Sequence, residues 1–179
     1  EPPGTRGGFR LAVDRAFVVR GAGVVVTGMV HAGAVSVGDQ LTIMPDDRPV
    51  RVRAIHARDQ ASDTARRGDR AALNLVGVER DDVGRGDWVV ATDILGPSQR
   101  IDVSLQVLGS EARPLKHWTP VHVHHGAGHA TGRLAVLQGG TIAPGGRGLA
   151  QIVLDDPLVP AFGDRLVLRQ GTFSRLDEI

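Results

Sequence analysis

The stretch FVVRGAGVVVTGMVHAG, residues 17–33, places glycines at positions 21, 23, 28 and 33 among β-branched residues. Its spacing fits neither common glycine-rich phosphate loop. A dinucleotide fingerprint, G-x-G-x-x-G, requires glycine where Val26 stands, and a P-loop requires lysine where Met29 follows Gly28. Both motifs also need a helix after the glycines, whereas the β-branched run at 24–27 favours a strand. The stretch therefore predicts a β-hairpin with glycines at its turn and bulges.

Short strand-like runs closed by Gly-Asp or by a glycine pair recur along the whole chain. Charged and apolar side chains alternate in several of them, as in half-buried strands, and no segment sustains a helical period. The rhythm predicts an all-β chain folded as two tandem antiparallel β-barrels. The predicted strands are Phe9–Arg20, Gly23–His31, Gln40–Met44, Val50–Ala57, Arg70–Val76, Trp88–Thr92, Ile101–Leu108, Pro120–His125, Thr131–Leu137, Leu149–Leu154 and Asp164–Arg169.

The segment ILGPS, residues 94–98, interrupts this rhythm and predicts a domain boundary. We expect a linker at 1–7, a first barrel at 8–95 and a second barrel at 98–179. Turn signals occur at Val37-Gly38-Asp39, Arg67-Gly68-Asp69 and Arg85-Gly86-Asp87. The last two spell a cell-adhesion tripeptide, which we interpret as Gly-Asp turns.

The composition excludes several classes of protein. There is no cysteine among the 179 residues, which excludes a disulfide scaffold, a zinc finger and a thiol nucleophile. No apolar run is long enough to span a membrane and no signal peptide opens the chain, so we expect a cytoplasmic protein. The formal net charge of +1 disfavours tight non-specific binding to DNA.

The segment HVHHGAGH carries the densest set of chemically active side chains. Two histidines at alternate positions of a strand face the same side, which is a common arrangement of metal ligands. A cupin-like site would also need a following glutamate, and no carboxylate lies between Glu111 and Asp155. The favoured interpretation is a basic face that meets phosphate, with a metal site as the alternative. The candidate residues are His122, His124, His125, His129 and Arg133.

Two arginines lie in apolar strand-like runs, where a cation needs a partner or a ligand. Arg15 follows Asp14 in AVDRAF, and Arg70 begins RAALNLVG. One interpretation is an Asp14–Arg70 salt bridge at a barrel rim; the other is a site for an anionic ligand. No arrangement of side chains indicates a catalytic site, so none is predicted.

Longer motifs resemble one family. The runs FRLAVDRAFVVRGAGVVVTGMVHAGAVSVGDQLTIMP and GDRAALNLVGVERDDVGRGDWV resemble the second domain of translational GTPases, and within them AVDRAF and RAALNLVGVERDDVGRGDW look most like the selenocysteine-specific elongation factors (SelB). The runs HWTPVHVHHGAGHATGRLAVL and FGDRLVLR resemble the third domain of the same factors. The barrels would then be domain II-like and domain III-like. Residues beyond 171 fit less closely, and no role is assigned to them.

The resemblance implies a middle fragment that binds selenocysteinyl-tRNA for delivery to the ribosome at a recoded UGA codon. It implies a selenocysteine pocket at Asp14, Arg15 and Arg70, and contact between the histidine-rich segment and the acceptor–T-stem. GTP and Mg²⁺ would bind in a separate GTPase domain, which would make the parent a GTPase and leave this fragment without cofactor or metal. Further partners would be that GTPase domain and C-terminal winged-helix domains, with no membrane.

Three alternatives remain at this point. The chain could be the equivalent part of an elongation factor Tu-like GTPase, which would keep the tRNA partner and lack the selenolate pocket. It could be a metal-dependent two-barrel enzyme centred on His122 and His124, or a purely structural module.

Overall fold

The computed structural model describes residues 8–92 and 96–171, and the predicted linker at 1–7 and the segment after 171 lie outside them. These residues form strands, with a single 3-10 turn at Arg80–Asp82, so the all-β prediction is confirmed. They group into two compact units. The first contains the residues up to Pro97 together with His125–Gly128 and Ala161–Arg165, and the second contains Ser98–His124, His129–Pro160 and the residues from Leu166 onward.

The first unit is a closed antiparallel barrel. Its strands are β1 Arg10–Val19, β2 Gly23–Ala32, β3 Ala34–Ser36, β4 Gln40–Met44, β5 Arg48–Ala57, β6 Gln60–Ser62, β7 Thr64–Arg66, β8 Arg70–Val76 and β9 Trp88–Val90. Six of them follow the order β4-β9-β1-β2-β8-β5, and β5 pairs back with β4 to close the barrel. In addition, β6 pairs with β5, and β3 pairs with β7. Val24, Val26 and Val30 alternate along β2 into a core of valine, leucine and isoleucine.

The predicted glycine-rich hairpin is confirmed as β1 and β2. Gly21 adopts a φ of 83° in the turn between them. At Gly28 a Cβ atom would collide with the carbonyl oxygen of Ala12, so the two strands can approach there only because the residue is glycine. The pairing register shifts between Val13 and Arg15, which makes a β-bulge in β1. This bulge places Asp14 at the edge of the barrel core.

The second unit consists of two sheets around one core, and the prediction of tandem barrels holds. Its strands are β10 Ser98–Gln106, β11 Leu115–Lys116, β12 Thr119–His125, β13 Gly128–Val136, β14 Thr141–Ile142, β15 Arg147–Leu158 and β16 Val167–Gln170. The larger sheet has the order β10-β15-β13-β12-β16, and β11 pairs with β14 in the smaller one. Leu115 of β11 and Ile142 of β14 share their core with Val123, Leu134 and Ile152 of the larger sheet.

Gly-Asp turns recur with one geometry. At Asp39, Asp69, Asp87 and Asp164 the carboxylate accepts the backbone N–H three residues earlier, at 2.8–3.0 Å. The preceding glycines all have φ between 87° and 102°, a conformation that glycine adopts without steric cost. Both Arg-Gly-Asp tripeptides are therefore turns, as predicted. The prediction that a strand begins at Asp164 is wrong, because its carboxylate closes a turn and β16 begins at Val167.

Candidate functional site

Asp14 and Arg70 meet at the rim of the first barrel, as one of the two interpretations predicts. Arg70 Nη1 lies 2.6 Å from Asp14 Oδ2, and the Thr27 hydroxyl donates to Asp14 Oδ1 at 2.6 Å. Burial raises the pKa of Asp14, but the hydrogen bonds from Thr27 and Arg70 and the charges of Arg70 and Arg15 more than offset it, so the pKa lies below its usual value. Asp14 is therefore a carboxylate at neutral pH.

Arg15 supplies a second cation at this rim. Its side chain is exposed and lies beside Thr27 across the β1–β2 pair. Within residues 8–92 and 96–171 it forms no salt bridge, whereas the side chain of Arg70 is 58% exposed while it holds Asp14. The three side chains together carry one net positive charge. The guanidinium of Arg70 has five N–H donors, and its single short contact with Asp14 leaves donors for a ligand.

A cavity of about 380 Å³ opens beside Arg70. The sequence predicted Arg70 here but missed the turn between β5 and β6, where Arg58 and Asp59 have φ of 53° and 62°. Such a turn normally carries Asn-Gly, and non-glycine residues held at positive φ concentrate at functional sites. The other lining residues are Thr27, His56, Ala71 and Ala72. The wall carries the two cations Arg58 and Arg70 against the one carboxylate of Asp59, so the cavity suits a ligand that carries negative charge.

In the second unit, His122, His124 and His129 lie on the outer surface of the large sheet. His122 and His124 alternate with buried valines along β12, and the rings of His124 and His129 have centroids 5.9 Å apart. Burial lowers the pKa of His124, and the positive charges of Arg169, His129 and His122 lower it further. His124 and His129 therefore lie close together on this surface, and the environment of His124 favours its neutral form.

Arginines extend this outer surface. The exposed Arg133 of β13 and the exposed Arg100 of β10 both pair in register with Val153 of β15, while Arg169 of β16 lies opposite His122. Sequence reasoning missed Arg100 and Arg169. For Arg169 the available signal was its alternation with apolar residues in a predicted strand, whereas Arg100 lies just before the predicted strand Ile101–Leu108 and is included in β10. We call Arg100, His122, His124, His129, Arg133 and Arg169 the basic face.

His125 does not belong to the basic face, and the structure does not bring it together with the other three histidines. Side chains alternate along a strand, so His125 points to the side opposite His124 and is only 3% exposed. Its Nε2–H donates to Asp164 at 2.8 Å, and its ring stacks on Trp88 with centroids 4.8 Å apart. A ligand on the outer surface cannot reach it in this conformation.

His125 instead belongs to a buried polar cluster of the first unit. Both Nη atoms of Arg10 donate to the carboxylate of Asp164 at 2.9 Å, and the Arg10 guanidinium lies 4.3 Å from the centroid of Trp88. Burial raises the pKa of Asp164, but hydrogen bonds from His125, Arg10 and the Ala161 N–H and the charge of Arg10 hold it far below its usual range. Both oxygens of the Asp164 carboxylate therefore accept hydrogen bonds from groups of the same unit.

Residues 8–92 and 96–171 contain no group of three or more histidine, aspartate or glutamate side chains that could hold a metal ion. Across the same residues, no helix has the length and apolar character needed to cross a membrane.

Two family models match the chain. Residues 98–176 match "Selenocysteine-specific elongation factor, beta-barrel domain", and residues 23–90 match "Elongation factor Tu domain 2". Together they cover both units.

Curated relatives and a solved structure agree with these matches. The chain is 46% identical over 162 residues to the selenocysteine-specific elongation factor of Escherichia coli (strain K12), covering 90% of this chain and 24% of that protein. It is 44% identical over 164 residues to the factor of Haemophilus influenzae, covering 91% and 26%. It therefore spans about a quarter of their length. The crystal structure of bacterial selenocysteine-specific elongation factor EF-Sec matches with a TM-score of 0.79 at 26% identity, over 97% of this chain and 28% of that one.

Proposed function

This chain belongs to the family of selenocysteine-specific elongation factors, and on that premise we propose that its first barrel binds the selenocysteinyl end of selenocysteinyl-tRNA. The proposed pocket combines Arg70, in the wall of the cavity, with Asp14 and Arg15, which lie beside Thr27 at the rim and are not among the lining residues of that cavity. One observation carries the proposal: Arg70 is anchored by Asp14 at 2.6 Å yet remains 58% exposed, at the wall of a cavity of about 380 Å³. A salt bridge that served only stability would have no need of an adjoining cavity.

The chemistry of the amino acid explains why arginines would recognise it. A selenol is more acidic than a thiol, so at neutral pH the side chain is largely an anionic selenolate. Serine, which the precursor form of the same tRNA carries, is neutral. Arg15 and Arg70 attract the anion through charge-assisted contacts. Losing one such contact costs about 1.5–3 kcal/mol, which is roughly tenfold to a hundredfold in affinity.

Asp14 has two tasks in this pocket. Its Oδ2 fixes the Arg70 guanidinium, and its Oδ1 is held in turn by Thr27. Its negative charge also offsets one of the two arginine charges, so the pocket does not attract every anion indiscriminately. Because the pKa of Asp14 is lowered, this balance persists across the neutral range and into mild acid.

The basic face of the second unit has a separate part in the proposal, which is contact with the acceptor–T-stem of the tRNA. Double-stranded RNA is recognised mainly through its phosphates, 2′-hydroxyl groups and shape. The exposed Arg100, Arg133 and Arg169 suit phosphates, and neutral histidine can accept a hydrogen bond from a 2′-hydroxyl. His125 has no part in this contact, because it is buried.

The parent protein's activity follows from the same premise. We assign to it delivery of selenocysteinyl-tRNA to the ribosome at a recoded UGA codon in the cytoplasm. Hydrolysis of GTP, with its Mg²⁺, belongs in this proposal to a GTPase domain separate from the two barrels, and reading of the messenger to winged-helix domains. The two barrels would hold the tRNA while those domains act.

Binding of an aminoacylated minihelix tests the pocket. A selenocysteinylated acceptor–T-stem minihelix and its seryl form would be titrated at low salt against the chain, against Arg70→Ala and against Arg51→Ala. Arg51 is an exposed arginine of β5, so its variant controls for the loss of one positive charge. We expect wild type and Arg51→Ala to prefer the selenocysteinyl form, and Arg70→Ala to lose that preference. Equal binding of both forms by the wild type would refute the pocket.

A further inference from the structure

Trp118 has a backbone conformation that bulky side chains rarely adopt. Its φ of 66° lies in the left-handed region, which disfavours residues other than glycine and asparagine. It lies in the turn between β11 and β12, and its side chain is 47% exposed. The other tryptophan, Trp88, is buried in the first unit. A large indole is therefore held in a strained position without being buried in a core.

The surrounding backbone fixes this conformation. The N–H of Trp118 donates to the carbonyl of Leu134 at 2.7 Å, and the N–H of His117 donates to that of Gly140 at 2.8 Å. The Thr119 hydroxyl donates to the carbonyl of Lys116 at 2.8 Å. These bonds hold the turn whichever side chain stands at position 118, and glycine would satisfy them without strain. The indole therefore has a purpose other than forming the turn.

A second ring orders the indole. The His117 imidazole stacks against Trp118, with centroids 5.9 Å apart and planes 28° from parallel. Its Nδ1–H donates to the carbonyl of Val136 at 3.2 Å, which orients the imidazole. The two rings form an aromatic platform on the surface of the second unit. A rigid platform loses little conformational freedom when a flat ligand stacks on it.

The charge of the neighbouring chain indicates the ligand's chemistry. Arg113 and Lys116, both exposed, lie within five residues of Trp118, and no aspartate or glutamate lies between Glu111 and Asp155. A ligand that combines a flat ring with negative charge suits this segment better than an apolar peptide. Unpaired bases of RNA stack on tryptophan and histidine while their phosphates contact cations.

We propose that Trp118 and His117 form a stacking site for an unpaired nucleobase of RNA. The site shares no residue with the selenocysteine pocket or with the basic face. It rests on the proposed function only in taking RNA as the partner. Alanine scanning of comparable platforms places the value of one stacked base at about fivefold to 150-fold in affinity.

Intrinsic fluorescence tests the site, because Trp118 is the exposed one of the two tryptophans. The full chain would be titrated with a single-stranded RNA decamer of mixed sequence and with a blunt RNA duplex of equal length. We expect the single strand to quench the emission. Trp118→Gly lacks the reporter indole, so its affinity would be measured with a fluorescently labelled strand, and it should bind about fivefold to 150-fold more weakly. Its melting temperature should stay close to that of the wild type, because relief of the strain at position 118 opposes the added freedom of glycine in the unfolded chain. Trp118→Phe, which keeps an aromatic face, should retain most of the affinity.

Each contrary result has a defined meaning. Binding of the single strand without quenching, or with equal affinity in Trp118→Gly, overturns the stacking site and leaves the basic face intact. Failure of the wild type to bind either RNA overturns the stacking site together with the RNA contact of the second unit.

Discussion

Two arginine–aspartate pairs begin on the same strand of the first unit. Arg10 of β1 binds Asp164 through two bonds of 2.9 Å, and its side chain is 4% exposed. Four residues along, Asp14 binds Arg70 through one contact of 2.6 Å, and the arginine is 58% exposed. The carboxylate oxygens of Asp164 accept hydrogen bonds from Arg10, His125 and the Ala161 N–H. The guanidinium of Arg70, in contrast, lies in the wall of a cavity and has N–H groups that Asp14 does not use. The same pair of residue types therefore forms a buried structural contact in one place and an exposed contact beside a cavity in the other.

Removing the buried carboxylate should have the largest effect on stability. Asp164→Ala leaves Arg10 buried beneath Trp88 without its carboxylate, and breaking a buried ion pair in this way costs about 3–5 kcal/mol. Urea denaturation would measure the loss. Asp102→Ala is the matched control, because that carboxylate is exposed and bonds only the Gln151 amide among the described residues. If Asp164→Ala lowers the free energy of unfolding no more than Asp102→Ala does, the Arg10–Asp164 pair is not a structural contact and the contrast with the Asp14–Arg70 pair fails.

The second largest effect concerns recognition at the rim. Arg15→Ala removes one of the two cations offered to the selenolate, so the preference for the selenocysteinyl over the seryl minihelix should fall roughly tenfold. Competition binding at low salt would measure the ratio of the two affinities. Arg20→Ala, which removes an exposed arginine from the β1–β2 turn, should leave the ratio unchanged. An unchanged ratio in Arg15→Ala as well would reduce the pocket to Asp14 and Arg70.

The open pair should matter little for stability. Arg70→Ala removes an exposed partner, and such ion pairs contribute about 1 kcal/mol or less. The pKa of Asp14 is lowered in the fold, so its contribution is present above the unfolded value of about 3.9 and is lost as the pH falls through the folded value. The free energy of unfolding should therefore be compared at neutral pH. A loss as large as that of Asp164→Ala would make the rim pair a structural contact.

The basic face should show the smallest effect for each residue. Arg133→Ala removes one phosphate contact, so the slope of log affinity against log salt should become shallower by about one. RNA duplex binding over a series of salt concentrations would measure this slope. Asp14→Asn, on the other unit, serves as a control that should not change it. A slope equal to that of wild type would remove Arg133 from the RNA contact.

The sequence predicted the parts of this comparison that depend on local pattern. A cation in an apolar strand requires a partner, and this correctly indicated the Asp14–Arg70 pair. The buried pair was missed because Arg10 and Asp164 are 154 positions apart, and nothing local relates them. The side of β12 to which His125 points could have been predicted, since His125 continues the buried alternation of Val121 and Val123. The turn at Arg58 could not have been predicted, because its positive φ has no signal in the residue type.

Recognition of negative charge at the rim is tested most directly by pH. The preference of the chain for the selenocysteinyl over the seryl minihelix would be measured at about pH 7.5 and at about pH 4, where a selenol has gained its proton. Because the pKa of Asp14 is lowered, this carboxyl is more ionised at the lower pH than an unperturbed aspartate. Changes elsewhere on the RNA surface cancel in the ratio of the two affinities. We predict a ratio that falls toward one in acid for the wild type and is already near one in Arg70→Ala. A wild-type preference that is the same at both pH values would contradict recognition of a selenolate by these arginines.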